Sequence, residues 1–562
     1  MEMAEVPEVK GTRIAGWKLR LVAWLATKPL TGRIIRSKML GDLGFGRLRT
    51  TAPQDGSPLR IKQTLLRPQQ GDRPEGRIGR IVSGRVAPAE GFKAPTVSDF
   101  AQAYRQGRTS PVSVAERILK AVEASESGDT PYRFFIAQSP EDLMAQAEAS
   151  QQRFKAGAPL GPFDGVPVGV KDELDQVGYG TTVGTSFMGK DPVQEDATPV
   201  ARLRAAGALM IGKLNMHEIG MGVTGINPHH GAVRNPFNLN HLCGGSSSGP
   251  GAAVAAGICP VSIGADGGGS IRIPASFCGT VGLKATFGRV SEHGAAPLCW
   301  SVAHVGPLAN TAMDAAIAYA LMAGPDSRDP GSLAQPELTL EDFGDENLDG
   351  VRMGVDRTWM EMADSDVQEA AEHLLEGYSA RGAKLVELRV PDVHITRMAH
   401  LATIAIELGA SQIGRESHKN DFGHDNRLNL VLANSLSGAD YVHAQRLRHV
   451  LTRQYYALFD SVDLIATPTS GCTAPRLKAD ALKSGESDLP LLTKIMRFAP
   501  AANLIGLPAI SMPAGYDAQG LPYGFQLMAR PWEEHLLLRM ANISEGFVPR
   551  SKPTFFAELL ED

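Results

Sequence analysis

Nowhere does the sequence hold a run of about 18 uncharged apolar residues, the length a helix needs to cross a bilayer, so no transmembrane helix is expected. The N-terminus lacks the uninterrupted apolar core of a signal peptide. Cysteine is scarce. Cys243, Cys259, Cys278, Cys299 and Cys472 are five, an odd number, with no pair at metal-ligand spacing. That argues against a disulfide framework or a metal site, and for a reducing, intracellular setting in which thiols pack as small apolar groups. No G-x-x-x-x-G-K-[ST] phosphate loop occurs, and no residue pattern asks for a cofactor. Positive charge is not in excess either: 56 Lys and Arg against 61 Asp and Glu leave a net charge of -5, which makes nucleic acid a poor partner.

What charge there is lies unevenly. Residues 1–90 hold 17 Lys and Arg against 8 Asp and Glu, or +9, and the remainder holds 39 against 53, or -14. A basic arm on an acidic body points to a membrane surface. Within the arm, Trp17, Leu21, Trp24 and Leu25 repeat at helical spacing, with Lys18, Arg20 and Lys28 between them. Pro29 interrupts the pattern; Leu30, Ile34, Ile35 and Met39 resume it. Two short amphipathic helices follow, suited to a membrane interface or to packing on the body or a homodimer mate. Residues 51–94 are rich in Pro, Gly and Arg without a period and read as an irregular linker. The chain thus divides into an extension and linker, 1–94, and a body, 95–562, with no internal boundary in the body.

The body alternates helical stretches with short apolar runs. Ser110 is a candidate N-cap before Pro111 for a helix to about Ser125, and Glu141–Lys155 reads as a second. Val166–Val170 reads as a buried strand ending at Lys171, and Ala208–Gly212 as another. Further strands are expected at 351–355, 384–390, 463–467, 509–512 and 523–528, with helices over 365–381, 400–415 and 440–460. This is an α/β pattern around a large, mixed, twisted and buried sheet flanked by helices, with a helical N-terminal extension.

The most informative stretch is Cys243–Lys284. It carries Gly244-Gly245-Ser246-Ser247-Ser248, an Ala-rich helical run, an apolar run, then Asp266-Gly267-Gly268-Gly269-Ser270-Ile271-Arg272-Ile273-Pro274. A Gly-Gly pair alone decides nothing, since about six arise by chance at this glycine content. The G-x-S-x-G match centred on Ser247 lacks the buried strand that a nucleophile elbow follows, because Asn235–His241 is polar and turn-like. The combination carries more: Ser270 lies 24 residues after Ser246 and 99 after Lys171. In these motifs the chain resembles the amidase signature family over about Thr96–Pro549.

That resemblance implies a Ser–Ser–Lys triad, with Ser270 as nucleophile, Ser246 as a proton relay on a cis peptide and Lys171 as base. It implies an oxyanion hole from the backbone of Gly267, Gly268, Gly269 and Ser270, and a loop braced by Asp266 and Arg272. The chemistry is consistent: a serine hydroxyl needs a neighbour to remove its proton. Holding a free lysine neutral at pH 7 costs about 4.6 kcal/mol, which burial can offset by disfavouring the charged form. Local backbone bonding is expected for Ser247 and Ser248, and loop polarity, not metal ligation, for His229 and His230. Gly212–Gly225, Met496–Asn503 and above all Tyr523–Pro531, with the amphipathic start, are similar to plant-type fatty acid amide hydrolases, which implies cleavage of N-acylethanolamines. Pro250, in place of a small residue, and Gly267, where many relatives carry Thr or Ile, depart from that pattern. The alternative is an amidotransferase A-type subunit or a soluble small-amide amidase. The full set of triad residues argues against a lipid-binding protein on an inactive amidase fold.

Overall fold

The computed structural model describes residue 9 and residues 11–51, 81–340 and 342–560. Eleven strands form one mixed sheet. In chain order they are β1 (Phe135–Ala137), β2 (Pro167–Lys171), β3 (Leu209–Leu214), β4 (Val261–Ala265), β5 (Val281–Lys284), β6 (Val305–Ala309), β7 (Arg352–Val355), β8 (Lys384–Glu387), β9 (Leu464–Pro468), β10 (Ala509–Tyr516) and β11 (Pro522–Ala529). Their order across the sheet is β8-β7-β9-β11-β10-β5-β6-β4-β2-β3-β1. β2 runs parallel to β3 and β4, and β7 runs parallel to β8 and β9. The remaining pairs are antiparallel. The inner strands β2 to β6 are buried end to end, which is why they read as continuous apolar runs and not as alternating ones.

Eight helices matter to the site. They are α1 (Gly16–Ala26), α2 (Pro29–Leu43), α3 (Phe45–Thr50), α4 (Ser248–Ala255), α5 (Arg272–Phe277), α6 (Val393–Ser411), α7 (His424–Ala433) and α8 (Gly438–Leu458). Every residue of α4 and α5 is buried. Gly251 lets them meet: a Cβ there would stand 3.0 Å from Pro274. Ser110 caps the helix Pro111–Glu126 by accepting the Ser113 amide, as its sequence suggests.

The proline at 29 does divide the arm into α1 and α2. The strongly apolar face is the outer one, however. Leu19 and Ala26 pack with Leu428 of α7, whereas Trp17 (69% exposed), Trp24 (55%), Leu30 (84%) and Ile34 (71%) face outward. The basic residues divide as well. Arg13 pairs with Asp480 and Glu486, Arg47 with Asp392, and Arg49 with Asp440, so part of the arm's charge is matched by the acidic body. Lys28 instead lies 4.5 Å over the Trp24 ring.

Several boundaries differ from the sequence reading. α6 begins at Val393, not His400, because the Asp392 carboxylate caps it by accepting the amides of His394 and Ile395. β8 stops at Glu387, after which Arg389 and the Val390 amide turn to Asp356. Asn235–His241 is no simple turn: Arg234–Asn235 pairs with Asn238–Leu242 in a separate two-stranded hairpin. Of the expected linker, residues 52–80 lie outside the described residues. Residues 81–83 are helical, a departure from the expected irregular linker; 85–94 then run without regular structure along the C-terminal segment, with the amides of Val86, Ala89 and Phe92 donating to Asn542, Glu545 and Arg550.

Candidate active site

Ligands of open α/β sheets gather at the carboxyl ends of the parallel strands. β2 and β4 are parallel neighbours, and their ends carry Lys171 and the Asp266–Ser270 loop. The fully buried Lys171 Nζ lies 2.8 Å from Ser246 Oγ, 3.3 Å from the Ala265 carbonyl and 2.6 Å from Glu173 Oε2. The Gly245–Ser246 peptide is cis. The amide of His217 donates to the Ser246 carbonyl at 3.0 Å, and that of Ser247 to the Ser270 carbonyl at 3.2 Å, so the two serine loops are joined directly. Ser247 Oγ also donates to the Ala265 carbonyl at 3.1 Å, which makes it a tie between loops, and Ser248 Oγ turns to the Asn215 carbonyl.

Asp266 and Arg272 fix the second loop. The Arg272 guanidinium donates twice to Asp266, at 3.0 Å each, and again to Gln526 Oε1, Asn503 Oδ1 and the Ala499 carbonyl. Burial alone would push the Asp266 carboxyl up. The charges of Arg272 and Lys284 and the hydrogen bonds from Arg272 and Asn503 instead hold it far below the usual carboxylate range. The ionised Asp266 accepts the Gly269 amide at 2.6 Å and the Ile271 amide at 3.1 Å. This narrows the set of candidate oxyanion donors. Gly269 spends its N–H on the brace, while among the described residues the amides of Gly267, Gly268 and Ser270 have no protein acceptor. Three unengaged donors on one turn beside a serine form an arrangement that can hold an oxyanion.

Two residues at the site escape sequence reasoning. His400, buried in mid-α6, contacts the Gly267 carbonyl through Nε2 at 2.7 Å. Desolvation lowers the His400 pKa to about 4, so it is neutral near pH 7 and Nε2 is the donor. A peptide's C=O and N–H point in opposite directions, so anchoring the Gly267 carbonyl on α6 aims the Gly268 amide away from it. Glu173 is the second. It lies in the turn that follows β2, where the Leu174 amide donates to the Lys171 carbonyl at 3.0 Å, and the turn brings its carboxylate back to Nζ.

An apolar cluster adjoins the loop, with Cys299 and Ile404 beside Gly267. Val183, Ile219, Leu298, Cys299, Val302, Leu408 and Phe422 form a cluster, joined by Phe187, Ile404 and Leu430. Leu430 belongs to α7, whose other face, with Leu428 and Val431, receives α1 and α2. Among the described residues no cluster of His, Cys, Asp and Glu could hold a metal. His229 pairs with Glu218, and His230 meets the Thr185 carbonyl. No described helix is long and apolar enough to cross a membrane.

Residues 116–538 match the family model described as Amidase. The chain is 37% identical over 584 residues to the fatty acid amide hydrolase of Oryza sativa subsp. indica, covering 99% of this chain and 96% of that one. It is 34% identical to the A-type subunit of the glutamyl-tRNA(Gln) amidotransferase of Thioalkalivibrio sulfidiphilus, over 80% of this chain and 96% of that one. The solved structure of native peptide amidase from Stenotrophomonas maltophilia superposes with a TM-score of 0.70 at 25% identity, covering 82% of this chain and 98% of that one. Fold, loop architecture and relatives agree: the chain belongs to the amidase signature family and is an amide-hydrolysing enzyme.

Proposed function

We propose that this enzyme is a serine hydrolase of fatty acid amides, with N-acylethanolamines as its substrates and Lys171, Ser246 and Ser270 as its triad. The observation that carries the reading is the 2.8 Å contact between a buried amine and Ser246 Oγ, one loop away from Ser270. In the reaction, Lys171 as free amine accepts the Ser246 proton while Ser246 accepts that of Ser270. Ser270 Oγ then attacks the amide carbon, and the oxyanion takes up the N–H groups of Gly267, Gly268 and Ser270. Collapse breaks the C–N bond; the proton returns through Ser246 to the leaving amine, and water releases the acyl group by the same steps.

The acyl-chain assignment rests on the apolar cluster beside the loop, which reaches Leu430 of α7, and on α1 and α2, which pack on the other face of that helix. The outward apolar residues of α1 and α2, with lysines at their edges, form a surface of the kind that lies in a lipid interface. A chain that collects its substrate there never has to draw it through water. A hydrolysis panel from acetamide and glutamine to long-chain ethanolamides tests the reading. We expect turnover to rise with acyl length. Best turnover of the small amides would instead support the small-amide or amidotransferase-type alternative, to which the similarity with the tRNA-dependent amidotransferase lends weight.

A further inference from the structure

We propose that Glu173 is a positioning residue that sets the pH at which Lys171 becomes a base. The inference rests on the triad reading above. Three acceptors surround Lys171 Nζ: Ser246 Oγ at 2.8 Å, the Ala265 carbonyl at 3.3 Å and Glu173 Oε2 at 2.6 Å. An ammonium has three N–H donors and no acceptor, so this shell is the complete shell of the charged form. A neutral amine has two N–H groups and one lone pair. It keeps Ala265 and Glu173 as acceptors and turns the lone pair to Ser246, which then donates its own proton. Activation therefore means removing one proton from a cation held against a carboxylate.

Charge sets the direction. An anionic carboxylate at this distance stabilises the ammonium, and so delays the base to higher pH. Glu173 is the carboxylate in contact: its side chain is nearly buried, and its Oε2 and Ser246 Oγ both lie within 4 Å of the point where a Cβ on Gly220 would stand. The other groups facing this spot come from four segments. Asp172 turns away to Thr182, the Gly184 amide and Lys213. His217 is pushed down to about 4 by desolvation and by the Lys171 charge, and so is neutral near pH 7. Glu292 is pushed far up by burial and by Asp329, Glu173 and Glu407. Glu407 of α6 is taken by Ser301 and Tyr441, and the Cys299 thiol is pushed up by burial. Glu173 and Glu292 share the wall of a cavity of about 280 Å³ with Leu298 and Cys299.

The test is the pH dependence of Ser270 labelling by a fluorophosphonate, which needs the base but no lipid substrate. Glu173→Gln keeps an acceptor for Lys171 and removes the charge. We expect its acidic limb to move to lower pH by about one unit or more, with the plateau rate largely kept. Glu173→Asp, whose carboxylate is drawn back by one methylene, should move the limb the same way by less, and serves if the glutamine variant does not fold. An unmoved or upward-shifted limb in these variants, or a fallen plateau with an unmoved limb, overturns the proposal. Shifted labelling in an enzyme that ignores long-chain ethanolamides keeps the Glu173 role and removes only the substrate assignment. Absence of labelling in the unmodified enzyme removes both.

Discussion

Replacing His400 by Leu tests how the proposed oxyanion loop is held. The substitution roughly keeps the volume in α6 and deletes the donor that meets the Gly267 carbonyl at 2.7 Å. Two magnitudes bracket the outcome. A lost neutral hydrogen bond costs about 1 kcal/mol of net stability, a floor that shows as a modest loss in unfolding experiments. If the freed Gly267–Gly268 peptide swings, one oxyanion donor is lost as well, which costs about 3–4 kcal/mol in the transition state, or roughly a hundred- to thousandfold in kcat. Asp266 still holds the Gly269 amide, and so the damage stays within one peptide. The expected result is a fall in kcat of about tenfold or more with KM little changed. The affinity of a trifluoromethyl ketone, which mimics the tetrahedral adduct, should fall in step with kcat/KM, while that of the fatty acid product should hold. A variant that loses affinity for product and adduct mimic alike, or keeps full kcat, refutes the orienting role.

Three further outcomes follow from the same geometry. Arg272→Ala strands the Asp266 carboxylate in a buried site and should lower unfolding free energy by about 3–5 kcal/mol in urea titrations, a loss that Asp266→Asn on the same background should partly reverse. Burial and the neighbouring Glu218 raise the Asp425 pKa to about 8, so folding holds a proton that the unfolded chain gives up near 3.8; stability should fall as pH rises from 4 to 8, by at most about 5 kcal/mol from this group. Asp425→Asn should flatten that part of the pH profile, and an equally steep slope in guanidinium titrations would exclude the group as its source. Trp17→Ser with Trp24→Ser should weaken flotation with anionic liposomes at least several-fold and leave turnover of a short, water-soluble anilide unchanged; equal flotation would point to a second copy of the chain as the occupant of that face.

The meeting of the two glycine-serine loops was readable because their spacing is itself the structure there: short loops bring Ser246 and Ser270 to one place. Lys171 was readable as the polar end of an apolar run. The bracing role of Asn503 and Gln526 was not: the resemblance marks their segments, but they reach Arg272 from more than 230 residues away and no local spacing pairs them with it. His400 stayed hidden for another reason. The sequence reading opened its helix at that residue, and a histidine at a helix start has no reason to face a core; with the cap moved to Asp392, the same residue sits mid-helix against the catalytic loop. α7 has a weak apolar period because both of its faces are used, one toward α1 and α2 and one toward the apolar cluster beside the loop.

Gly267 has a backbone that would accept a side chain, yet a Cβ there would stand 2.9 Å from Cys299 Sγ and 3.3 Å from Ile404 Cδ1. The two positions therefore share one volume. A methyl group introduced at 267 meets a sulfur already in place, whereas a smaller residue at 299 merely opens a hole. Change at this spot has a preferred order: 299 must shrink before 267 can grow, and a lineage or a design that attempts the steps in reverse passes through a jammed catalytic loop.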